Sequence, residues 1–285
     1  MKVIVNIIKF IVITILTICV ISIGIITTVS SIILNQDYIT QKLEETNFYA
    51  EIYESVKSNF ENYIYQSGLD EEVLNDICTE EKVKNDINII LNNIFQGTDE
   101  KIDTTEIADN LHANIDALGI KNSRNEEAIE QFVTQICNEY TNTVLHTDYE
   151  DNIHDMYVKA NTILSKIYDI VTITLVLGII VLALLNFKKP SKNIQGIGIV
   201  LFATAIFNFI ACNIVTSKIN IQGIKIFNDA FSNVIVKIIQ ETIDKIMAFG
   251  AGVMVIAIIL IAIYAAIMAK NNSKEKIIEE KTTDK

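Results

Sequence analysis

Four long apolar runs, none of which contains a charged side chain, limit the possible folds of this chain more than any other feature. They cover residues 10–34, 170–187, 194–215 and 247–269. A helix of about 18 or more apolar residues can cross roughly 30 Å of hydrocarbon, and a charge near its centre would cost about 2.5–3.5 kcal/mol. The chain is therefore predicted to be an all-α integral membrane protein with a bundle of four transmembrane helices.

Soluble core helices and a cleaved signal peptide are less favoured interpretations of these runs. Soluble core helices would have to be unusually apolar in all four cases. The first run, at 25 residues, exceeds the about 7–15 residues of a signal-peptide core, although the sequence "VSS" at 29–31 leaves cleavage as an alternative. Cys19 follows the bulky Ile18, which disfavours lipid attachment at that cysteine. We expect the first run to remain as a span.

Lysines at the ends of the spans predict how the chain is oriented. Lys and Arg concentrate in cytoplasmic loops, and here they occur in segments 1–9, 188–193 and 270–285. These segments would share the cytoplasmic side of a plasma membrane, with both termini inside. The lysines of segment 216–246, which would lie outside, argue the other way. The topology determinants in the turn between spans two and three are Lys188, Lys189 and Lys192.

The segment between spans one and two, residues 35–169, is predicted to be an acidic extracytoplasmic domain. Its residues 35–168 include 27 acidic and 9 basic side chains, which gives a formal charge of −18 against −12 for the whole chain. A field of this sign repels nucleic acid, so nucleic acid is not expected as a partner. Cations, basic peptides or a basic protein face would be attracted. A charged helical surface that only keeps the domain soluble is the simpler alternative.

Apolar residues in this domain recur every three or four positions, which is the spacing of amphipathic helices. Gly68 and Gly97 are expected to end helices, and Thr79 to cap the start of one. Five to six helices around one core are predicted, so the fold class is an all-α four-span bundle with a helical domain inserted between spans one and two. One of the apolar series consists of Ile52, Val56, Phe60 and Ile64.

Two amphipathic segments lead into spans without a helix breaker. One begins at about Glu150 and continues into span two, and the other, 224–246, continues into span four. The apolar stripe of 224–246 has to be buried. Packing against the outer domain is favoured over lying on lipid, because the polar face of the segment is not basic. The C-terminal tail, residues 270–285, is expected to be disordered.

The cysteines and the intramembrane polar residues are candidates for local chemistry. Cys78 and Cys137, separated by 59 residues, form a possible disulfide that would contribute roughly 4 kcal/mol, and two free thiols are the alternative. Asn208 is expected to make a polar contact within the membrane. Small residues in spans three and four favour close helix packing or self-association.

No motif in the sequence indicates a catalytic or metal site. His146 and His154 are eight positions apart, which does not place two ligands on one face of a helix. Cys-x-x-Cys, His-Glu-x-x-His, Gly-x-Ser-x-Gly and the twelve-residue calcium loop do not occur. No catalytic residue, cofactor or metal is therefore expected.

The leading functional hypothesis is a non-catalytic interaction or sensing module, with the lipid bilayer and a protein partner or a second copy as its contacts. A channel or transporter subunit is the alternative, and a metal-dependent surface enzyme is the least favoured. The layout resembles bacterial four-span membrane proteins with one large outer loop, a resemblance that implies no activity.

Overall fold

The computed structural model describes residues 2–120, 126–144, 150–225 and 229–283, and all regular structure in these ranges is helical. The predicted all-α class is therefore confirmed. The α-helices are α1 (Lys2–Ile32), α2 (Gln36–Glu45), α3 (Phe48–Ser67), α4 (Glu80–Gln96), α5 (Thr105–Ala117), α6 (Glu126–Val144), α7 (Glu150–Leu185), α8 (Ser191–Lys218) and α9 (Asp229–Thr283). Short 3-10 helices cover Glu71–Leu74 and Ile221–Gly223.

Four of the described helices are long and apolar enough to cross a membrane, as the sequence predicted. Large apolar side chains on these helices are exposed, including Phe10, Leu177 and Ile258. Such side chains require lipid rather than water around them. The chain is thus a multi-pass membrane protein with four candidate spans. The candidate spans lie within Val3–Ile32, Asn152–Leu185, Ser191–Lys218 and Asp229–Ser273.

The chain divides into two compact units, which we call the span unit and the acidic unit. The span unit contains residues 1–32, 162–224 and 239–285, and the acidic unit contains residues 33–161 and 225–238. Helices α7 and α9 each contribute residues to both units. No helix breaker occurs in either helix at the division, because neither sequence has a proline or glycine there.

The core of the acidic unit lies between α3, α4, α5 and α6. Ala230 and Val234 of α9 are buried in this same core. The apolar stripe of 224–246 is thus buried by protein at these positions, which agrees with the packing favoured from the sequence. The largest fully buried side chains of this core include Phe48, Ile52, Ile87, Ile90, Ile107, Leu111, Ile115, Ile136 and Tyr140.

Helix ends in the acidic unit follow the sequence signals. The Thr79 hydroxyl accepts a hydrogen bond from the Lys82 amide at 3.1 Å, which caps α4 as predicted. Gly68 and Gly97 end α3 and α4, both with φ of +70°, a left-handed conformation that glycine adopts without a steric cost.

Close helix packing in the span unit occurs at several glycines but not at all of them. A methyl group built on Gly24 would lie 2.3 Å from the Phe249 ring, and one on Gly250 would lie 3.2 Å from Asn208 Cβ. Gly252 has no such neighbour within 4 Å among the residues that the structure describes. The small residues of span four therefore do not all face the bundle, which explains why their sequence clustering alone did not define the interface.

The tail differs from the expectation, because α9 is helical through Thr283. The physical reason is composition: residues 270–283 contain no glycine or proline, and Lys and Glu are good helix formers. A helix that is already nucleated by an apolar span needs little further stabilisation to extend. The disordered tail predicted from charge was wrong for these residues.

Candidate functional site

A cavity of about 320 Å³ opens on the acidic unit beside the segment that connects the first 3-10 helix to α4. One wall is formed by successive turns of α3 and the other by the 3-10 helix and residues 75–78. This volume is at the lower end of the range for small-molecule sites, so it suits one side chain or a small ligand. The lining residues are Tyr53, Lys57, Phe60, Glu61, Glu71, Leu74, Asn75, Asp76, Ile77 and Cys78.

The charge of this cavity is negative. Among the described residues, the only cation in its lining is Lys57, whose Nζ lies 3.6 Å from Glu54 Oε1 and 5.5 Å from the centroid of the Tyr53 ring. An aromatic ring and carboxylates together attract a cationic group. The cavity therefore favours an ammonium or guanidinium over an anion. The carboxylates that line it within the described ranges are Glu61, Glu71 and Asp76.

Cys78 connects this cavity to a buried polar cluster between α4 and α6. The Tyr140 hydroxyl donates a hydrogen bond to Asp86 Oδ2 at 2.5 Å. Lys82 Nζ lies 3.2 Å from the same oxygen and donates to the carbonyl of Asp103 at 2.7 Å. Asp86 is only 4% exposed, so its charge is stabilised by these two partners rather than by water.

Sequence reasoning did not find this cluster. The spacing of Lys82 and Asp86, i and i+4 on one helix, was the only local signal. Tyr140 is 54 positions from Asp86, and its aromatic ring looked like an ordinary core residue. Only the packing of α6 on α4 brings the hydroxyl to the carboxylate.

Burial keeps the ionisable groups of Tyr140 and Cys78 in their neutral forms. Burial raises the pKa of Tyr140 far above its usual value, and the Asp86 carboxylate raises it further. Burial also raises the pKa of the Cys78 thiol to about 11, although the Lys82 ammonium acts in the opposite direction. A thiol that is protonated at neutral pH is a poor nucleophile, so this arrangement favours a structural role for Cys78.

Both cysteines of the acidic unit are free thiols in the structure. Cys78 Sγ lies 3.7 Å from the Thr79 carbonyl, and Cys137 Sγ lies 3.9 Å from the Thr104 carbonyl. Each thiol thus has a backbone acceptor of its own. The possible Cys78–Cys137 bridge is not formed in this structure, and its formation in the oxidised protein stays a hypothesis.

His154 packs against the C-terminal end of α4. Its Nδ1 lies 2.8 Å from the carbonyl of Ile94, and a methyl group built on Gly97 would lie 2.9 Å from its ring. His146 lies outside the described residues. Within the described ranges, no group of three or more His, Cys, Asp or Glu side chains is placed to hold a metal ion.

No family model, curated protein or solved structure matches this chain. Its function therefore has to be inferred from its own cavities, charges and packing.

Within the span unit, Asn208 lies on the face of α8 that packs against α9. The residue is 2% exposed, and its Cβ makes the close approach to Gly250. One turn earlier, Thr204 is fully buried, and its hydroxyl has no hydrogen-bond partner among the described residues. The close packing of Asn208 is found, whereas its interhelical hydrogen bond stays a prediction.

The three lysines assigned to topology lie in or beside the short connection between α7 and α8, as the sequence indicated. With Lys9 of α1 they line a second cavity. The side of the membrane on which they lie stays a prediction. These topology lysines are Lys188, Lys189 and Lys192.

Proposed function

We propose that this chain is a non-catalytic integral membrane protein whose acidic unit is an extracytoplasmic interaction or sensing module. The observation that carries the proposal is the burial of Ala230 and Val234, near the start of α9, in the core of the acidic unit. The same helix continues into the fourth candidate span. A change in the packing of that core therefore acts on residues that are helically continuous with a span.

Helix α7 supports the same proposal. Its Tyr157 ring packs edge-on against Phe95 of α4, with the ring centroids 5.0 Å apart, and its His154 contacts the end of α4. Helix α7 then continues to Leu185 as the second candidate span. Two of the four candidate spans thus begin among residues of the acidic unit.

The partner that best fits the acidic unit is a protein face that presents lysine or arginine. The cavity beside Cys78 is lined by carboxylates and aromatic rings that suit a cationic side chain. The strongly negative charge of the surrounding segment would increase the association rate with such a partner. Nucleic acid is not proposed as a partner, because the same field would repel it.

The binding test uses the full chain in lipid nanodiscs and a short oligolysine peptide as the probe. The variant Glu61→Gln/Glu71→Gln removes two carboxylates from the cavity, and Glu106→Gln/Glu127→Gln removes two exposed carboxylates elsewhere. Both variants change the net charge equally. Weaker binding in the cavity variant alone supports the proposal, whereas equal binding in both variants shows that only bulk charge is recognised.

The orientation test places a single tag after residue 190 in intact cells. A membrane-impermeant reagent should not reach this tag, because the lysine-rich connection would be cytoplasmic. Labelling from outside would show that the orientation is the opposite of the proposed one, and it would exclude the proposed class of partner.

A channel or transporter subunit is the second candidate, because Thr204 and Asn208 form a buried polar face on α8. Polar side chains inside a bundle can line a path for water or ions. Liposome flux with the purified protein tests this function, with Asn208→Leu as the variant. The control is Thr14→Val, since the exposed Thr14 hydroxyl bonds to a carbonyl of its own helix. Absence of flux in every oligomeric state removes this candidate.

A further inference from the structure

A second cavity, of about 390 Å³, lies in the span unit where α7 ends and α8 begins. It is lined by α1, by the last residues of α7 and by the connection to α8. Half of the eight described residues that line it are lysines. These four are Lys9, Lys188, Lys189 and Lys192.

Lys9 is brought to this cavity by a chain of amide side chains. Its Nζ donates a hydrogen bond to Asn186 Oδ1 at 2.5 Å, and Asn186 Nδ2 donates to Asn193 Oδ1 at 2.8 Å. Asn186 is itself buried. These bonds join α1, the end of α7 and α8 around one ammonium group. The rule that cytoplasmic loops are basic requires positive charge in each segment, but it does not require the charges to converge.

Within the described residues, no acidic side chain forms an ion pair with any of these four lysines. The surrounding segments, 1–36 and 170–228, contain no Asp or Glu at all. The N-terminus of α8 adds partial positive charge through the helix dipole, although the amides of Lys192 and Asn193 already donate to the carbonyls of Lys189 and Pro190. A cavity with several uncompensated ammonium groups beside a helix N-terminus is an anion site by its electrostatics.

We propose that this cavity binds the phosphate of an anionic phospholipid headgroup. Leu184 and Phe187 also line the cavity, and Phe187 is 83% exposed. These apolar side chains provide a surface for acyl chains next to the site of the phosphate. Basic cavities between membrane-spanning helices are suited to anionic headgroups in this way. A soluble phosphate ion has no acyl chains that would contact Leu184 and Phe187.

The test measures lipid binding to the full chain in neutral detergent by native mass spectrometry. Phosphatidylglycerol and phosphatidylcholine with the same acyl chains are titrated separately, and inorganic phosphate is added as a competitor. A lysine near an anionic membrane surface contributes about 1 kcal/mol, a factor of about five in affinity. Lys9→Gln/Lys192→Gln is therefore expected to weaken phosphatidylglycerol binding about 25-fold, the product of two such factors.

Two controls separate the cavity from general charge and from misassembly. Lys218→Gln/Lys270→Gln removes the same charge from two exposed lysines that do not line the cavity and should change the affinity little. Lys9→Arg/Lys192→Arg keeps the charge and should retain the lipid, since guanidinium groups also bind phosphate. Equal losses in both glutamine variants, equal binding of phosphatidylcholine, or full displacement by inorganic phosphate would each overturn the proposal.

Discussion

Replacement of Tyr140 by phenylalanine tests whether the buried cluster holds α4 and α6 together. The change removes one hydroxyl and leaves the aromatic packing in place. Asp86, which is 4% exposed, would keep the Lys82 ammonium at 3.2 Å but lose the hydrogen bond from the hydroxyl. Because hydrogen bonds to charged groups contribute about 1.5–3 kcal/mol, the acidic unit should lose about 2 kcal/mol of stability.

Hydrogen exchange of the full chain in nanodiscs, read by mass spectrometry on α4 and α6 peptides, measures this loss. A decrease of about 2 kcal/mol accelerates exchange through opening about 30-fold. Tyr65→Phe is the matched control, since Tyr65 is 88% exposed and its change should stay within about 0.5 kcal/mol. Exchange in Tyr140→Phe that is no faster than in Tyr65→Phe would refute the role assigned to the cluster.

Tyr140 also makes the stability of the wild-type acidic unit depend on pH, and Tyr140→Phe should remove this dependence. Burial and Asp86 raise the pKa of Tyr140 in the folded state, whereas an unfolded tyrosine ionises near pH 10. The stabilisation is fully present below about pH 10, and above it falls by about 1.4 kcal/mol per pH unit, because unfolding then releases a proton. This additional slope should be present in the wild type and absent from Tyr140→Phe. Parallel pH profiles for the two proteins would contradict the assigned pKa shift.

Two further predictions concern packing and thiol chemistry. Gly24→Ala should destabilise the span unit by about 1–3 kcal/mol, because the added methyl would lie 2.3 Å from the Phe249 ring. Gly252→Ala should be tolerated, since the added methyl would have no neighbour within 4 Å among the described residues. Equal thermal stabilities of the two variants in detergent would contradict this. At neutral pH, iodoacetamide should modify the half-buried Cys137 before Cys78, whose pKa is about 11; a bridged Cys78–Cys137 peptide in a non-reduced digest would show instead that the disulfide forms.

The sequence predicted the elements of this fold better than it predicted how they pack. Uncharged runs, glycines such as Gly68 and the Thr79 cap are local signals, and the structure confirmed each of them. Each of these signals depends only on residues that are close in the sequence. The prediction of a disordered tail was wrong for the end of α9. Its high charge was interpreted as disorder, although Lys and Glu can also extend a helix that is already formed.

The candidate sites could be predicted only in part, because each is made by contacts between distant segments. The lysines of the α7–α8 connection were evident as a charge cluster, but Asn186, which holds Lys9 beside them, carries no pattern that distinguishes it from other asparagines. Likewise, nothing local relates Tyr140 to Asp86. Pairing at such separations depends on tertiary packing, which periodicity does not encode.

The position of Cys78 suggests how a ligand on the acidic unit would act on α9. Cys78 lines the cavity of the acidic unit and is close enough to Tyr140 to raise the pKa of its hydroxyl. Tyr140 and Val234 belong to the same core. A continuous set of packed side chains therefore joins the cavity to the start of α9, which is the physical requirement for coupling between them.

This path predicts that a ligand in the cavity protects the start of α9 from hydrogen exchange. Oligolysine should slow exchange of the peptide that covers residues 229–238 in the wild type, by about fivefold or more if the coupling has a usual size. The protection should diminish in Tyr140→Phe, while binding itself remains, because Tyr140 does not line the cavity. Protection that is unchanged in Tyr140→Phe would show that coupling bypasses the cluster. Binding without any protection would leave the acidic unit as a docking surface that does not signal through α9.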